Sequence, residues 1–153
     1  MSGAATERAS LSERCALSVG VDILQIARVA EAIERYGERF LTRVFTSAEI
    51  DYCAGRVAAL AARFAAKEAI GKALGVGMRT LSQEGIGWLE AEIVNDNVGK
   101  PLVRLHGSAA ARAAQLGLSH WAVSLAHERE YAVAFVVASG EWQAEREDGV
   151  QRL

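Results

Sequence analysis

One stretch constrains this chain more than any other: Arg63-Phe-Ala-Ala-Lys-Glu-Ala-Ile-Gly-Lys-Ala-Leu-Gly75. Alanine, leucine, lysine, arginine and glutamate dominate it, and Gly75 offers a stop. It therefore reads as a long Ala-rich helix over residues 56–74. At about 3.6 residues per turn, Val57, Leu60, Ala61 and Phe64 fall on a single apolar stripe. Glu68 extends that stripe, and Lys72 follows one turn later. A carboxylate on a core-facing line has to be paired, bound to a cation or lining a cleft. The helix thus carries the first candidate for chemistry.

Strands and helices are mixed around it without strict alternation. Leu17, Val19, Val21 and Ile23 alternate with Ser18, Gly20 and Asp22, which predicts a strand over 16–24. A helix follows over 25–36 and stops near Gly37. Thr46 or Ser47 caps a short helix, with Glu49 or Ile50 in its first turn. Gly75, Gly77, Gly85 and Gly87 punctuate a loop before a strand over 88–94, and Asn95-Asp-Asn-Val-Gly-Lys-Pro101 is a turn signal. Residues 102–105 form a short strand and 108–116 a helix ending at Gly117. Strands over 120–126 and 131–138 are joined as a hairpin through His127-Glu-Arg-Glu130. This order predicts an α+β fold, a compact single domain with a small antiparallel sheet packed on the Ala-rich helix. A chain of 153 residues suits one domain with a real core. The folded part covers about 16–139, with 1–14 and 140–153 as flexible extensions.

The net charge of -2 gives no whole-molecule case for nucleic acid or a membrane surface. Locally, Arg28, Arg35, Arg39 and Arg43 either present a basic face to an acidic partner or form a solvated face balanced by Glu31, Glu34 and Glu38. Charge counting alone favours the second. Cys15 and Cys53 lack metal-ligand or redox spacing and read as free thiols in a reducing compartment. No window is long and apolar enough to span a bilayer. Glu7 and Glu13, with no apolar segment beside them, argue against a secretory signal, which leaves a cytoplasmic location by default.

Asp22 stands at a strand end, where aspartate is a poor strand former. With Gln25 three residues on, it resembles a helix capping box, and judged alone capping is the favoured role. Glu68 has a bland reading too, an i,i+4 ion pair with Lys72, which the interrupted stripe weakens. Arg63 and Lys67 set two like charges four apart, an arrangement that favours an anion such as phosphate between them. Two hard carboxylates from different elements suit Mg²⁺ alongside substrate phosphates. Two carboxylates, several cations and Gly-bounded loops suit phosphoryl transfer. No Walker sequence is present, and Gly75-Val-Gly77 alone is too weak to read as a nucleotide loop. His127, at a strand end, reads as structural; His106 and His120 have less support, and nothing resembles a nucleophile elbow.

Three segments in order carry a resemblance: Val19-Gly-Val-Asp-Ile-Leu-Gln-Ile-Ala-Arg28, Arg63 to Gly75 as written above, and Trp121-Ala-Val-Ser-Leu-Ala-His127, with Asn97-Val-Gly-Lys-Pro101 as a further turn. Together they closely resemble the holo-acyl-carrier-protein synthases, a class of 4′-phosphopantetheinyl transferases, over residues 17–138. The resemblance implies transfer of phosphopantetheine from coenzyme A to a serine of apo-acyl carrier protein, with release of 3′,5′-ADP. It implies Mg²⁺ on Asp22 and Glu68, with Glu68 helping to deprotonate the serine and Lys72 stabilising charge on the transferring phosphate. Arg63, Lys67, Lys72, Gly75 and His127 would lie against coenzyme A, and Arg28, Arg35 and Arg39 against the acidic carrier. It also implies a homotrimer with active sites built across subunit boundaries. Gly71 departs from the larger or polar residue common at its place, which would loosen the helix by about 0.5–1 kcal/mol relative to alanine. Two other readings compete: a non-catalytic module that binds acyl carrier protein or coenzyme A, and an unrelated Mg²⁺-dependent nucleotide enzyme.

Overall fold

A computed structural model describes residues 15–80 and 83–141. The apolar alternation near the start becomes an edge strand, β1 (Cys15–Gln25), and the chain turns straight from it into α1 (Ile26–Tyr36). Two short helices follow, α2 (Glu38–Val44) and α3 (Ser47–Cys53), and then the long α4 (Val57–Ala73). A 3-10 turn (Trp88–Glu90) leads into a hairpin of β2 (Ala91–Asn95) and β3 (Pro101–Leu105). Helix α5 (Gly107–Gln115) and the hairpin β4 (His120–Glu128) and β5 (Tyr131–Glu141) complete the fold. The main sheet has the order β1-β5-β4, antiparallel throughout, with β2 and β3 forming a separate pair. The α+β expectation, a small antiparallel sheet on an Ala-rich helix, is what the chain builds.

Packing explains why α4 is so rich in alanine. Ala62, Ala65, Ala66, Ala69 and Ala73 are buried, as are Ala132, Ala134, Val136 and Ala138 of β5. Small residues on both sides let the backbones approach closely. A side chain on Gly20 would put its Cβ on the carbonyl of Ala69, so β1 can cross the helix here only with glycine. Leu60, Ala61, Ile70, Arg63 and Lys67 are also buried, so α4 is enclosed on several faces rather than along the single stripe its spacing suggests. Gly71 has its own reason. Val76 and Gly77 donate backbone hydrogen bonds to its carbonyl, and a Cβ would lie 3.0 Å from the Gly77 backbone. The glycine lets the loop fold back over the helix, rather than merely loosening it.

Among the described residues, the opposite face of the sheet has no cover. Leu17, Val19, Val21 and Ile23 remain 53–69% exposed, and Phe135 of the neighbouring strand 45%. In an isolated chain that is a contiguous apolar patch of the kind that marks an interaction surface.

Several boundaries differ from the sequence reading. Helix α2 went unanticipated, because Gly37, at φ 53°, breaks a helical pattern that resumes one residue later. The expected strand over 88–94 begins as the 3-10 turn. Strand β4 runs on to Glu128, so only residues 129–130 form the turn. Gly140 and Glu141 belong to β5 rather than to a loose tail. The expected extensions 1–14 and 142–153 lie outside the described residues. Among the described residues, no helix is long and apolar enough to cross a membrane.

Candidate active site

Asp22 is a strand residue, not a cap. It pairs with Ala134 inside β1, while Gln25 occupies the N-cap of α1 without a side-chain hydrogen bond. The alternation of β1 turns Asp22 toward the same side as Gly20 and Leu24, against α4. There Lys72 Nζ donates to Asp22 Oδ1 at 2.9 Å and to the Val21 carbonyl at 2.9 Å. The ion pair that Lys72 makes is therefore with Asp22, rather than with Glu68 one turn away on its own helix.

Glu68 completes the cluster. It is half-buried, and desolvation pushes its carboxyl above the ordinary carboxylate value. The neighbouring Asp22 charge adds to that rise, and Lys72 partly offsets it. Two carboxylates and one ammonium share this corner, leaving it net negative when ionised and short of one cation. Among the described residues, no group of three or more His, Cys, Asp or Glu could hold an ion. Two carboxylates do fit a hard divalent cation that fills its remaining positions with water and phosphate oxygens.

From Glu68 a cleft of about 900 Å³ opens toward the basic segment. Phe40, Phe64 and Trp88 line it together with Arg28, Arg39 and Arg43. The Phe64 and Trp88 rings lie 4.6 Å apart between centroids, and Phe40 stacks on Phe64 at 6.4 Å. An apolar wall facing cations suits a ligand with a flexible uncharged part and an acidic partner beyond it. Arg35 does not line the cleft; it is exposed, over the ring of Tyr36.

Other sequence candidates lie elsewhere. Lys67 points into the core with no exposed surface, paired to Glu49 at 2.8 Å, so it cannot reach a phosphate at the surface. Arg63, 3% exposed, hydrogen-bonds Asn95 and packs over the Tyr52 ring at 4.5 Å. The two cations expected to enclose a phosphate turn to internal partners instead, with Arg63 Nε buried and without a hydrogen-bond partner among the described residues. Gly75, at φ 71°, follows the C-cap of α4 and is exposed. His127 pairs with Ala132, two strands across the sheet from β1. Strand spacing puts it roughly 12 Å from Asp22 within one chain. Sequence reasoning missed Phe40, Trp88 and Glu49. Phe64 on the stripe beside Glu68 was the available signal for an aromatic wall, but Phe40 and Trp88 join it only through the tertiary fold.

Known proteins match the chain over most of its length. The family model for the 4′-phosphopantetheinyl transferase superfamily matches residues 18–136. A holo-[acyl-carrier-protein] synthase of Herpetosiphon aurantiacus is 49% identical over 126 residues, covering 81% of this chain and 99% of the relative. One from Chloroflexus aurantiacus is 49% identical over 130 residues, covering 78% and 95%. Among solved structures, the Helicobacter pylori holo-[acyl-carrier-protein] synthase in complex with coenzyme A superposes with a TM-score of 0.69 at 29% identity, covering 78% of this chain and 98% of that one. The Neisseria meningitidis enzyme gives 0.69 at 31% identity, covering 79% and 96%.

Proposed function

The chain belongs to the 4′-phosphopantetheinyl transferase superfamily, and we propose that it is a holo-[acyl-carrier-protein] synthase, moving 4′-phosphopantetheine from coenzyme A to a serine of apo-acyl carrier protein. The observation that carries this reading is the Asp22, Glu68 and Lys72 cluster at the mouth of an aromatic cleft with basic residues. A binding module would have use for the basic residues but not for two carboxylates held together at the cost of mutual repulsion.

Asp22 and Glu68 would hold Mg²⁺, which when bound supplies charge neutralisation at the coenzyme A pyrophosphate. Glu68 accepts the proton of the carrier serine, directly or through a water. The serine oxygen then bonds to the β-phosphorus, and the bond from that phosphorus to the bridging oxygen breaks, releasing adenosine 3′,5′-bisphosphate. A carboxyl raised by burial is a stronger base than an exposed one. Lys72, at the surface end of the cluster, offsets charge on the leaving group. Arg28, Arg35 and Arg39 meet the acidic carrier, consistent with their exposure along one segment. Gly75 leaves the end of α4 open to coenzyme A.

The uncovered sheet face supports a homotrimer. Leu17, Val19, Val21 and Ile23 gain a partner there, and a neighbouring copy would bring its own His127 to the coenzyme A phosphates that this copy's His127 stands too far away to reach. The reaction runs in the cytoplasm, where Cys15 and Cys53 stay as the free thiols observed.

Intact-protein mass spectrometry tests the reading. Apo-carriers of fatty-acid and polyketide synthesis are incubated with the protein, coenzyme A and Mg²⁺, with a chelator or Glu68→Ala as controls. A metal-dependent gain of one phosphopantetheine, lost in both controls, is expected. No gain on any carrier, with coenzyme A still bound, would leave a binding module.

A further inference from the structure

Lys67 precedes the proposed base directly in sequence, yet it serves the other side of the helix. Its side chain has no exposed surface, and three acceptors surround its ammonium: Glu49 Oε2 at 2.8 Å, the Trp88 carbonyl at 3.0 Å and the Ala91 carbonyl at 2.6 Å. An ammonium has three hydrogens to give, and all are placed. Glu49 is equally committed, taking the backbone N–H of Thr46 at 2.9 Å and that of Ile93 at 2.9 Å. One buried point therefore ties α3, α4 and the start of β2 together.

The two carbonyls that Lys67 holds bracket the 3-10 turn. On the other flank, Glu90 accepts from the Gly87 N–H at 2.7 Å, closing the turn with its own side chain. Trp88, the first residue of the turn, leans on Phe64 one helical turn before Glu68 and lines the cleft. Burying an ion pair stabilises a fold no better than a well-packed apolar pair; what the ammonium adds is direction, since it fixes two carbonyls at once.

We propose that Lys67 and Glu49 form a positioning pair for Trp88, setting the indole as the wall of the cleft beside Glu68, so that Trp88 shapes the passage taken by the pantetheine arm. The functional half of this rests on the transferase reading; the positioning half does not. Lys67 acts through Trp88 and touches no substrate itself.

The test uses the full chain carrying Trp121→Phe and Trp142→Phe, which leaves Trp88 as the only indole of the three. In that background Lys67→Met with Glu49→Gln removes both charges together. Trp88 emission should shift to the red, and acrylamide quenching should rise about twofold as water reaches the ring. In the otherwise natural chain, the same pair of substitutions should raise KM for coenzyme A about tenfold while kcat stays within about threefold. Trp88→Leu, which leaves Lys67 and Glu49 in place, should raise KM by a similar factor and tests the passage by itself. If the double variant fails to fold, Glu49→Gln alone in the single-indole background reads the positioning pair by the same emission shift, and unmoved emission there overturns it. Unmoved emission in a folded double variant overturns the positioning pair. An unchanged KM in Trp88→Leu overturns the role of Trp88 in the passage. A natural chain that modifies no carrier defeats the transferase reading instead, and the emission experiment then still decides whether the pair positions Trp88.

Discussion

Lys72 and Asp22 stand fifty positions apart in the chain, yet their charged atoms lie 2.9 Å from one another. That contact stitches the end of the Ala-rich helix to the first strand, and it brings Glu68 within electrostatic range of Asp22.

Asp22→Asn should separate chemistry from folding. The Lys72 side chain is 52% exposed, so losing this ion pair should change stability by about 1 kcal/mol or less. Transfer should fall by a factor of about 100 or more, because one of the two carboxylates proposed to hold Mg²⁺ is gone. Urea unfolding and the mass-spectrometric assay, run on one preparation, measure both. Preserved transfer with a clear loss of stability would return Asp22 to a structural role.

Glu68 predicts a pH signature. Its folded carboxyl lies above the ordinary 4.5 through burial, then through the Asp22 charge. The folded state therefore holds that proton more tightly than the unfolded state. The stabilisation is complete below 4.5 and is lost as pH rises through the raised folded value. Glu68→Gln should remove that part of the pH dependence in equilibrium unfolding. In the natural chain, the acid limb of kcat/KM should sit above the usual carboxylate range and move to lower pH as Mg²⁺ is increased.

At Gly20 one methyl group should be enough to undo the site. Its Cβ would meet the Ala69 carbonyl oxygen at 1.9 Å, and backbone cannot step aside as a flexible side chain can. Gly20→Ala should cost about 3 kcal/mol or more. Thermal melting reads this directly, and a variant that melts like the natural chain would show that β1 and α4 are not so closely seated.

Charge on the open sheet face tests the proposed trimer without touching the cluster. Val19→Glu should reduce the mass in solution from three times 16.4 kDa toward 16.4 kDa, read by light scattering. Transfer should drop with it, although Val19 points away from Asp22 and Glu68. An unchanged mass would mean that the face has some other partner.

The elements were legible where a residue's neighbours along the chain decide its state. Leu17 to Ile23 alternate plainly, and Thr46 caps α3 with Glu49 reaching back in a full capping box, as the local pattern invites. What local pattern could not reveal was which side of a strand or helix would meet a charge. Asp22 looked like a cap because Gln25 follows it, and its actual partner comes from a distant helix. Lys67 looked like half of a phosphate-holding pair because Arg63 stands one turn away, and only folding delivers the Glu49 carboxylate that it pairs with. The cleft was hidden for the same reason: Phe40, Phe64 and Trp88 belong to three separate elements and meet only once those are packed.

The seam between α4 and the sheet has one more implication. Ala65, Ala66, Ala69 and Ala73 on one side and Gly20, Ala132, Ala134 and Ala138 on the other have no χ angles to sample, so the seam holds almost no side-chain disorder to release on warming. The separation of Asp22 from Glu68 is set by main chain resting against main chain. A seam of leucines could give a little at each thermal fluctuation; this one either holds its spacing or parts altogether, and the two carboxylates keep their working distance until it does.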